Sequence, residues 1–154
     1  MSVLARTNPF RQKELIMDLL TLNTRDVANQ GAVMEVENPG TGEKLRNEKG
    51  ELVTITLLGR DSDKLKKRQN ELTNNVLKKG FRAKPATAEK TDDDRLTTLV
   101  LATVEWANVE AGGKVLDCSS ENVRSIYKQL PWLAEQADAF IDDRANFLKA
   151  PSTT

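Results

Sequence analysis

Two short runs of alternating apolar residues set the strongest constraint on the fold. Between them, Pro39-Gly40 and Lys49-Gly50 are turn signals, so the pattern predicts an antiparallel hairpin over residues 32–58 with an enlarged polar tip. A two-stranded hairpin is marginal alone in water, so it must pack on helices or join a larger sheet. The residues sharing the apolar faces are Ala32, Met34 and Val36 in the first run and Val53, Ile55 and Leu57 in the second.

The remainder of the chain has helical periodicity. Asp61 or Ser62 can cap the first helix, Pro131 separates the last two, and Gly112-Gly113 predicts a short hairpin before Ser119 or Ser120 begins the next helix. We therefore predict an α+β fold, in which a β-hairpin or small antiparallel sheet packs with about four helices and the C-terminal half is helical. The predicted helices cover about residues 62–79, 93–106, 120–130 and 132–147, and the β-branched content of the second leaves a strand as the alternative there.

The domain organisation follows from these elements. Residues 32–148 are expected to form a single α+β domain, in which residues 83–91 are a linker or loop. Residues 1–31 are expected to be an N-terminal arm or short helix, and residues 149–154 a disordered tail.

The composition argues against most enzyme chemistry. The chain has no histidine, and its only cysteine is Cys118. The usual general base near neutral pH, a disulfide framework and a cysteine-rich zinc site are therefore all excluded. We expect a non-enzymatic protein without a cofactor.

The hydropathy of the chain suggests a cytoplasmic protein. No apolar run approaches the roughly 20 residues needed to cross a membrane. The N-terminal sequence MSVLARTNPFRQKEL does not have a secretory apolar region, so we expect a cytoplasmic protein with no membrane partner.

Acidic clusters offer two possible sites. Asp92-Asp93-Asp94 could bind a divalent cation, but consecutive carboxylates on a helix diverge, and the triplet suits the positive start of a helix. Asp138 and Asp142 share a helical face, and a solvated face is the favoured interpretation over paired acid catalysis.

Charge is unevenly distributed along the chain. Residues 60–84 contain nine basic and three acidic residues, a net charge of +6, whereas residues 85–154 carry a net charge of −5. The basic segment could contact phosphates, but Phe81 is its only aromatic residue, so nucleic-acid binding is unlikely. It could instead support a homo-oligomer by pairing with the acidic half. The candidate electrostatic interface comprises Lys64, Lys66, Lys67 and Arg68.

Two segments together resemble a known family. GRDSDKLKKRQNE follows a strand and leads into a charged helix. LATVEWANVEAGGKVLDCSSENVRSIYKQLPWLAEQADAFIDDRANFL contains a Trp segment, a Gly turn, a Pro-Trp corner and a closing helix. This arrangement is similar to the tail assembly chaperones of tailed bacteriophages, and the resemblance covers about residues 32–148.

The resemblance implies a phage or prophage protein that assists tail assembly. Such chaperones bind the tape measure protein in the host cytoplasm, keep it soluble during virion assembly, and are not expected in the mature virion. In many phages a ribosomal frameshift gives a longer product that recruits the tail tube protein. The ending RANFLKAPSTT would fit the shorter product.

A chaperone of this kind needs apolar surface for its client. The candidate protein-binding residues are Leu65, Leu72, Val76, Trp132 and Phe147. Phe140, Ile141 and Tyr127 are assigned to the core, whereas Trp132 and Phe147 fall off the main helical stripes and could be core or surface. The alternatives to a chaperone are a structural tail or head–tail joining protein retained in the virion, and a basic nucleic-acid-binding module.

Overall fold

The chain folds into helices interspersed with short strands. The structure is a computed structural model that describes residues 18–80 and 84–148. Within those ranges the helices are α1 (Thr24–Gln30), α2 (Asp63–Lys79), α3 (Ala88–Ala102), α4 (Ser120–Gln129), α5 (Pro131–Asp142) and α6 (Ala145–Leu148), with a 3-10 turn at Leu19–Leu22 before α1. The strands are β1 (Ala32–Glu35), β2 (Thr54–Leu57), β3 (Thr103–Ala107), β4 (Glu110–Ala111) and β5 (Lys114–Val115). The fold is α+β, as the sequence predicts.

The predicted hairpin is confirmed. Strands β1 and β2 pair antiparallel, with Met34 opposite Ile55. Met34, Val36, Ile55 and Leu57 are all buried, so the alternating pattern correctly identifies the face that meets the core. The chain of the polar tip folds back so that Leu45 lies next to the first strand. The backbone N–H of Leu45 donates to the carbonyl of Val36 at 2.9 Å.

The helix predicted over residues 93–106 is wrong at both ends. Thr87 caps α3, its Oγ1 accepting from the backbone N–H of Lys90 at 3.1 Å, so the helix begins within the expected linker of residues 83–91. The Asp92-Asp93-Asp94 triplet therefore lies inside the helix and not in its first turn. At the other end the chain becomes β3, which pairs with β2 as the third strand of the sheet. The β-branched Thr103 and Val104 fit a strand that completes the sheet.

A short hydrogen-bond chain marks the change from α3 to β3. The hydroxyl of Thr103 donates to the carbonyl of Leu99 at 2.8 Å, and the same oxygen lies 2.9 Å from the hydroxyl of Tyr127. Tyr127 is almost completely buried, so α4 holds the helix–strand junction from within the core.

The helices cover one face of the three-stranded sheet. Leu99 and Ala102 of α3 are fully buried, and α2, α4 and α5 each contribute side chains to the same cluster. The opposite face of the sheet is open to solvent, where Val33 and Val104 are exposed. The described residues thus form a sheet with one layer of helices.

The remaining predicted elements are mostly confirmed. Ser62 caps α2, Ser119 caps α4, and Gly112 and Gly113 form the turn of the β4–β5 hairpin, both with positive φ. The helix predicted over residues 132–147 is wrong near its end, because Asp143 is extended and separates α5 from α6.

Two predictions concern the ends of the chain. Residues 18–31 form the 3-10 turn and α1, within the segment expected to be an arm or short helix. The rest of that arm and the tail of residues 149–154 lie outside the described residues.

Tyr127 provides a spectroscopic test of this core. It is the only tyrosine, and its burial raises its pKa from 10.0 to about 12. The neutral phenol therefore stabilises the fold fully below about pH 10, and this contribution is lost as the pH rises through about 12. We expect tyrosinate absorption near pH 12 in the native protein and near pH 10 in denaturant. Native titration near pH 10 would contradict the buried phenol.

Candidate functional site

The apolar stripe of α2 extends beyond the core. Leu65 is buried, Leu72 is half-buried, and Val76 is 69% exposed, although the three residues share one helical face. The adjacent Leu77 is 72% exposed. Because each residue adds about 1.5 Å to a helix, Val76 lies roughly 16 Å along α2 from Leu65. The C-terminal part of α2 therefore extends beyond the core that buries its first turns.

The facing part of α3 does not cover this apolar surface. Arg68 of α2 contacts Asp94 at 3.5 Å, and its Nε donates to the hydroxyl of Thr98 at 3.5 Å, so the two helices are packed together at this point. Beyond that contact, residues 84–93 are exposed at every position, and Ala88 is the only apolar residue in the helical part of that range. We call residues 72–80 and 84–93 the α2–α3 arm.

The basic residues of α2 are of two kinds. Arg68 is largely buried at its side chain and paired with Asp94. The lysines of α2 are exposed, and none has a carboxylate within 4.0 Å among the described residues. These lysines are Lys64, Lys66, Lys67, Lys78 and Lys79. Of the predicted electrostatic interface, Arg68 therefore belongs to the fold and Lys64, Lys66 and Lys67 remain at the surface.

Two acidic residues of α3, Asp93 and Asp94, form ion pairs with other helices. Asp93 is ion-paired with Arg124 of α4, Asp94 with Arg68 of α2, and Arg95 with Asp138 of α5. Successive residues of a helix point about 100° apart, so three consecutive side chains reach three neighbouring helices. Two members of the Asp92-Asp93-Asp94 triplet, Asp93 and Asp94, therefore have a structural use that the sequence does not reveal.

A metal site does not form from these carboxylates. Across residues 18–80 and 84–148, no three Asp, Glu or Cys side chains are grouped so that they could hold a metal ion. Asp138 is partly buried, and this burial raises its pKa, while its partner Arg95 opposes the shift. Asp138 and Asp142 also have separate basic partners, since Asp142 lies 3.7 Å from Arg60.

Two predicted binding residues lie in the interior. Leu65 is part of the main core, and Phe147 is buried with its ring 5.6 Å from that of Phe140 in an edge-to-face arrangement. Their assignment to an exposed binding face is therefore corrected. Leu65 lies in the first turns of α2, which the body still covers, and α6 folds Phe147 back onto the chain. Trp132 is half-buried against the core, which leaves Leu72 and Val76 as the accessible members of the predicted set.

Phe147 belongs to a junction between the two quoted sequence segments. Arg144 donates from Nε and Nη2 to the carboxylate of Asp61 at 2.6 and 2.9 Å. These hydrogen bonds, with a further one from Thr24, lower the pKa of Asp61 from 3.8 to about 2. The GRDS and RANFL segments are therefore joined by side-chain hydrogen bonds, although 83 positions separate Asp61 from Arg144.

Gly59 allows this junction to close. A Cβ atom at this position would lie 2.8 Å from the Cβ of Ala28 and 3.2 Å from the ring of Phe147. Its N–H donates to the carbonyl of Ala28 at 3.1 Å, and the N–H of Arg60 donates to that of Ile141 at 3.2 Å. Any larger residue at Gly59 would separate α1 from α6.

Some exposed apolar residues are not among the binding residues that the sequence predicts. Leu77 of α2 is one of them, and its side chain is exposed. Leu19 and Leu20 were assigned to an arm, and both are about four-fifths exposed. Periodicity identifies an apolar stripe, but it does not show where the body beneath a helix ends.

Cys118 offers little nucleophilic chemistry. Its thiol is half-buried, and burial raises its pKa, with the charge of Glu105 adding to the effect. A raised pKa lowers the thiolate fraction near neutral pH.

The described helices also include none that is both long and apolar enough to cross a bilayer. Comparisons of the chain with protein-family models, curated proteins and solved structures found no match.

A pair of substitutions in one stripe tests how far the core extends. We expect Leu65→Ala to lower the free energy of unfolding by about 2–5 kcal/mol, because it leaves a cavity in the core. Val76→Ala is expected to change it by about 0.5 kcal/mol or less, because the side chain is already exposed. Denaturant unfolding measures both, and similar losses would contradict the exposure of the arm.

The Asp61–Arg144 pair predicts a specific acid sensitivity. We expect Asp61→Asn to lower the free energy of unfolding by about 1–3 kcal/mol at neutral pH, because Arg144 loses a charged acceptor. The pair's contribution is full above pH 3.8 and is lost as the pH falls through about 2. The variant and the native protein should therefore converge over that window in unfolding experiments.

The matched control is Asp117→Asn, since Asp117 is exposed and has no ion-pair partner among the described residues. Its effect should be small at every pH. A constant difference between Asp61→Asn and the native protein across the window would argue against the ion pair as the cause.

Proposed function

We propose that this protein is a non-enzymatic tail assembly chaperone of a phage or prophage. It binds the tape measure protein in the host cytoplasm, keeps it soluble while the tail is built, and is absent from the mature virion. The observation that carries the proposal is the uncovered apolar surface at the end of α2, where Val76 and Leu77 are exposed. A chaperone of this kind requires apolar surface for a client.

The junction at Gly59 supports the same proposal. The two segments on which the family resemblance rests are far apart in sequence and meet through Asp61 and Arg144. The two segments that carry the resemblance are therefore in contact with each other in the folded chain, and we treat them as one structural unit. That unit fixes the start of α2, because Ser62 follows Asp61 directly and caps the helix.

The longer product suggested by the resemblance would extend this same unit. The C-terminal helix α6 is held on the body by Phe147 and Arg144. In the longer product, we propose that the added segment recruits the tail tube protein while the arm remains free for the client.

A second candidate function is nucleic-acid binding. The observation that favours it is the set of α2 lysines without carboxylate partners in the described part of the chain. Phosphate contacts of this kind would weaken steeply with added salt. Replacing Lys64, Lys66 and Lys67 by Ala should then abolish retardation of a DNA fragment, and Arg68 is left in place because it pairs with Asp94 within the fold.

Co-expression tests the chaperone proposal. We expect the tape measure protein encoded nearest downstream of the gene to be insoluble alone and soluble with this protein, in a complex that survives a pull-down. The physical reason is that client contacts replace the self-contacts of an apolar helix. Solubility of the client in lysate and its recovery on the tagged chaperone are the measurements.

Purified particles provide the control. An assembly chaperone should be missing from intact virions, whereas a structural tail or head–tail joining protein should be present in them. An insoluble client with no co-purified partner, together with this protein in the particles, would overturn the proposal in favour of the structural role.

A further inference from the structure

We propose that the α2–α3 arm binds an acidic amphipathic helix of a client protein. The inference rests on the proposed function for the existence of a client, and it adds the surface that binds and the chemistry of the segment bound. Leu72, Val76 and Leu77 would contact the apolar stripe of that helix. Lys78 and Lys79 would pair with acidic residues along its edges.

The apolar part of this surface has the form of a helix-docking stripe. Leu72 and Val76 are four residues apart, so they lie one turn above each other on the helix. The stripe lies on the same helical face as the buried Leu65, two turns further along α2, and the exposed first part of α3 has Ala88 as its one apolar residue. An amphipathic helix with apolar residues at similar spacing can lie along such a stripe.

Charge determines which kind of helix fits. Lys78 and Lys79 are exposed in the last turn of α2, and neither has a carboxylate within 4.0 Å in the described parts of the chain. On the α3 side of the arm, Glu89 and Asp92 offset the basic residues, so the excess of positive charge lies at the end of α2. An approaching helix with acidic flanks gains from these charges, whereas one with basic flanks is repelled. The surface therefore selects acidic segments over basic ones.

Two other partners fit the surface less well. A second copy would offer its acidic C-terminal half, but four of the carboxylates there already have basic partners within their own chain. Exposed carboxylates without such a partner among the described residues, for example Glu105, Asp117 and Glu121, lie on different elements and not along the edges of one apolar helical stripe. A nucleic acid would use the lysines but would leave Val76 and Leu77 against phosphates. The combination of unpaired lysines and exposed aliphatic side chains favours a protein helix.

Designed peptides test this selectivity directly. The acidic probe is a fluorescent peptide of about three heptads with Leu at the a and d positions and Glu at the flanking positions. The basic probe has Lys in place of those Glu residues. Anisotropy titrations with the full chain should show that the acidic probe binds at least about tenfold more tightly than the basic one, and that this preference falls with added salt.

Variants of the arm locate the binding surface. Lys78→Glu combined with Lys79→Glu should reverse the preference between the two probes. Val76→Ser combined with Leu77→Ser should weaken the binding of both. The matched controls are Lys128→Glu and Val115→Ser, which change an exposed lysine and an exposed aliphatic residue away from the arm and should leave binding unchanged.

Several results would overturn the inference. Equal binding of the two probes by the native protein would do so without any variant. Loss of binding in the controls as large as in the arm variants would also do so. A dimer in light scattering that the arm variants dissociate would assign the surface to a second copy. Retention of a DNA fragment that depends on Lys78 and Lys79, without binding of the acidic probe, would assign it to nucleic acid.

The client itself separates this inference from the proposed function. If the native protein and the arm variants keep the tape measure protein soluble equally well, the arm is not the binding surface and the chaperone role stands. If the native protein fails to keep it soluble, the chaperone role falls, whatever the peptides show. The chaperone role and the binding surface are both supported if the native protein keeps the tape measure protein soluble and the arm variants do not.

Discussion

The rest of the structure depends on the burial of α3. Leu99 and Ala102 have no exposed surface, and the chain continues from them into the third strand of the sheet. Burying such side chains contributes about 1.5–3 kcal/mol each for the larger aliphatic residues, so this helix is a main source of stability. Its ion pairs at Asp93, Asp94 and Arg95 then fix the positions of the three surrounding helices.

A second constraint joins the two ends of the described chain. Gly59 has no side chain, so α1 and α6 approach each other closely across it. The Asp61–Arg144 pair and the burial of Phe147 hold this arrangement together. Because Ser62 begins α2 immediately afterwards, the direction in which α2 leaves the body is determined at the same place. The stable junction and the exposed arm are therefore parts of one continuous segment.

The arm contrasts with the body in both packing and charge. Within the body, Asp94, Asp138 and Asp142 have basic partners, and the apolar stripes of the helices contribute to the core. Along the arm, Val76 and Leu77 are exposed and Lys78 and Lys79 have no carboxylate close by in the described residues. Exposed apolar side chains grouped with unpaired charges are typical of surfaces that bind a partner. Our proposals for function and for client chemistry rest on this contrast.

The sequence by itself determined the local elements. Alternation identified the hairpin and its buried face, and capping residues placed the starts of α2 and α4, because these signals act over a few residues. It could not place β3, since Thr103 and Val104 become a strand only when β2 offers an edge to pair with. Nor could it separate Leu65 and Phe147 from Val76, because all three are apolar residues of helices. Tertiary structure alone decided which of them the body covers, since burial depends on neighbours that are distant in sequence.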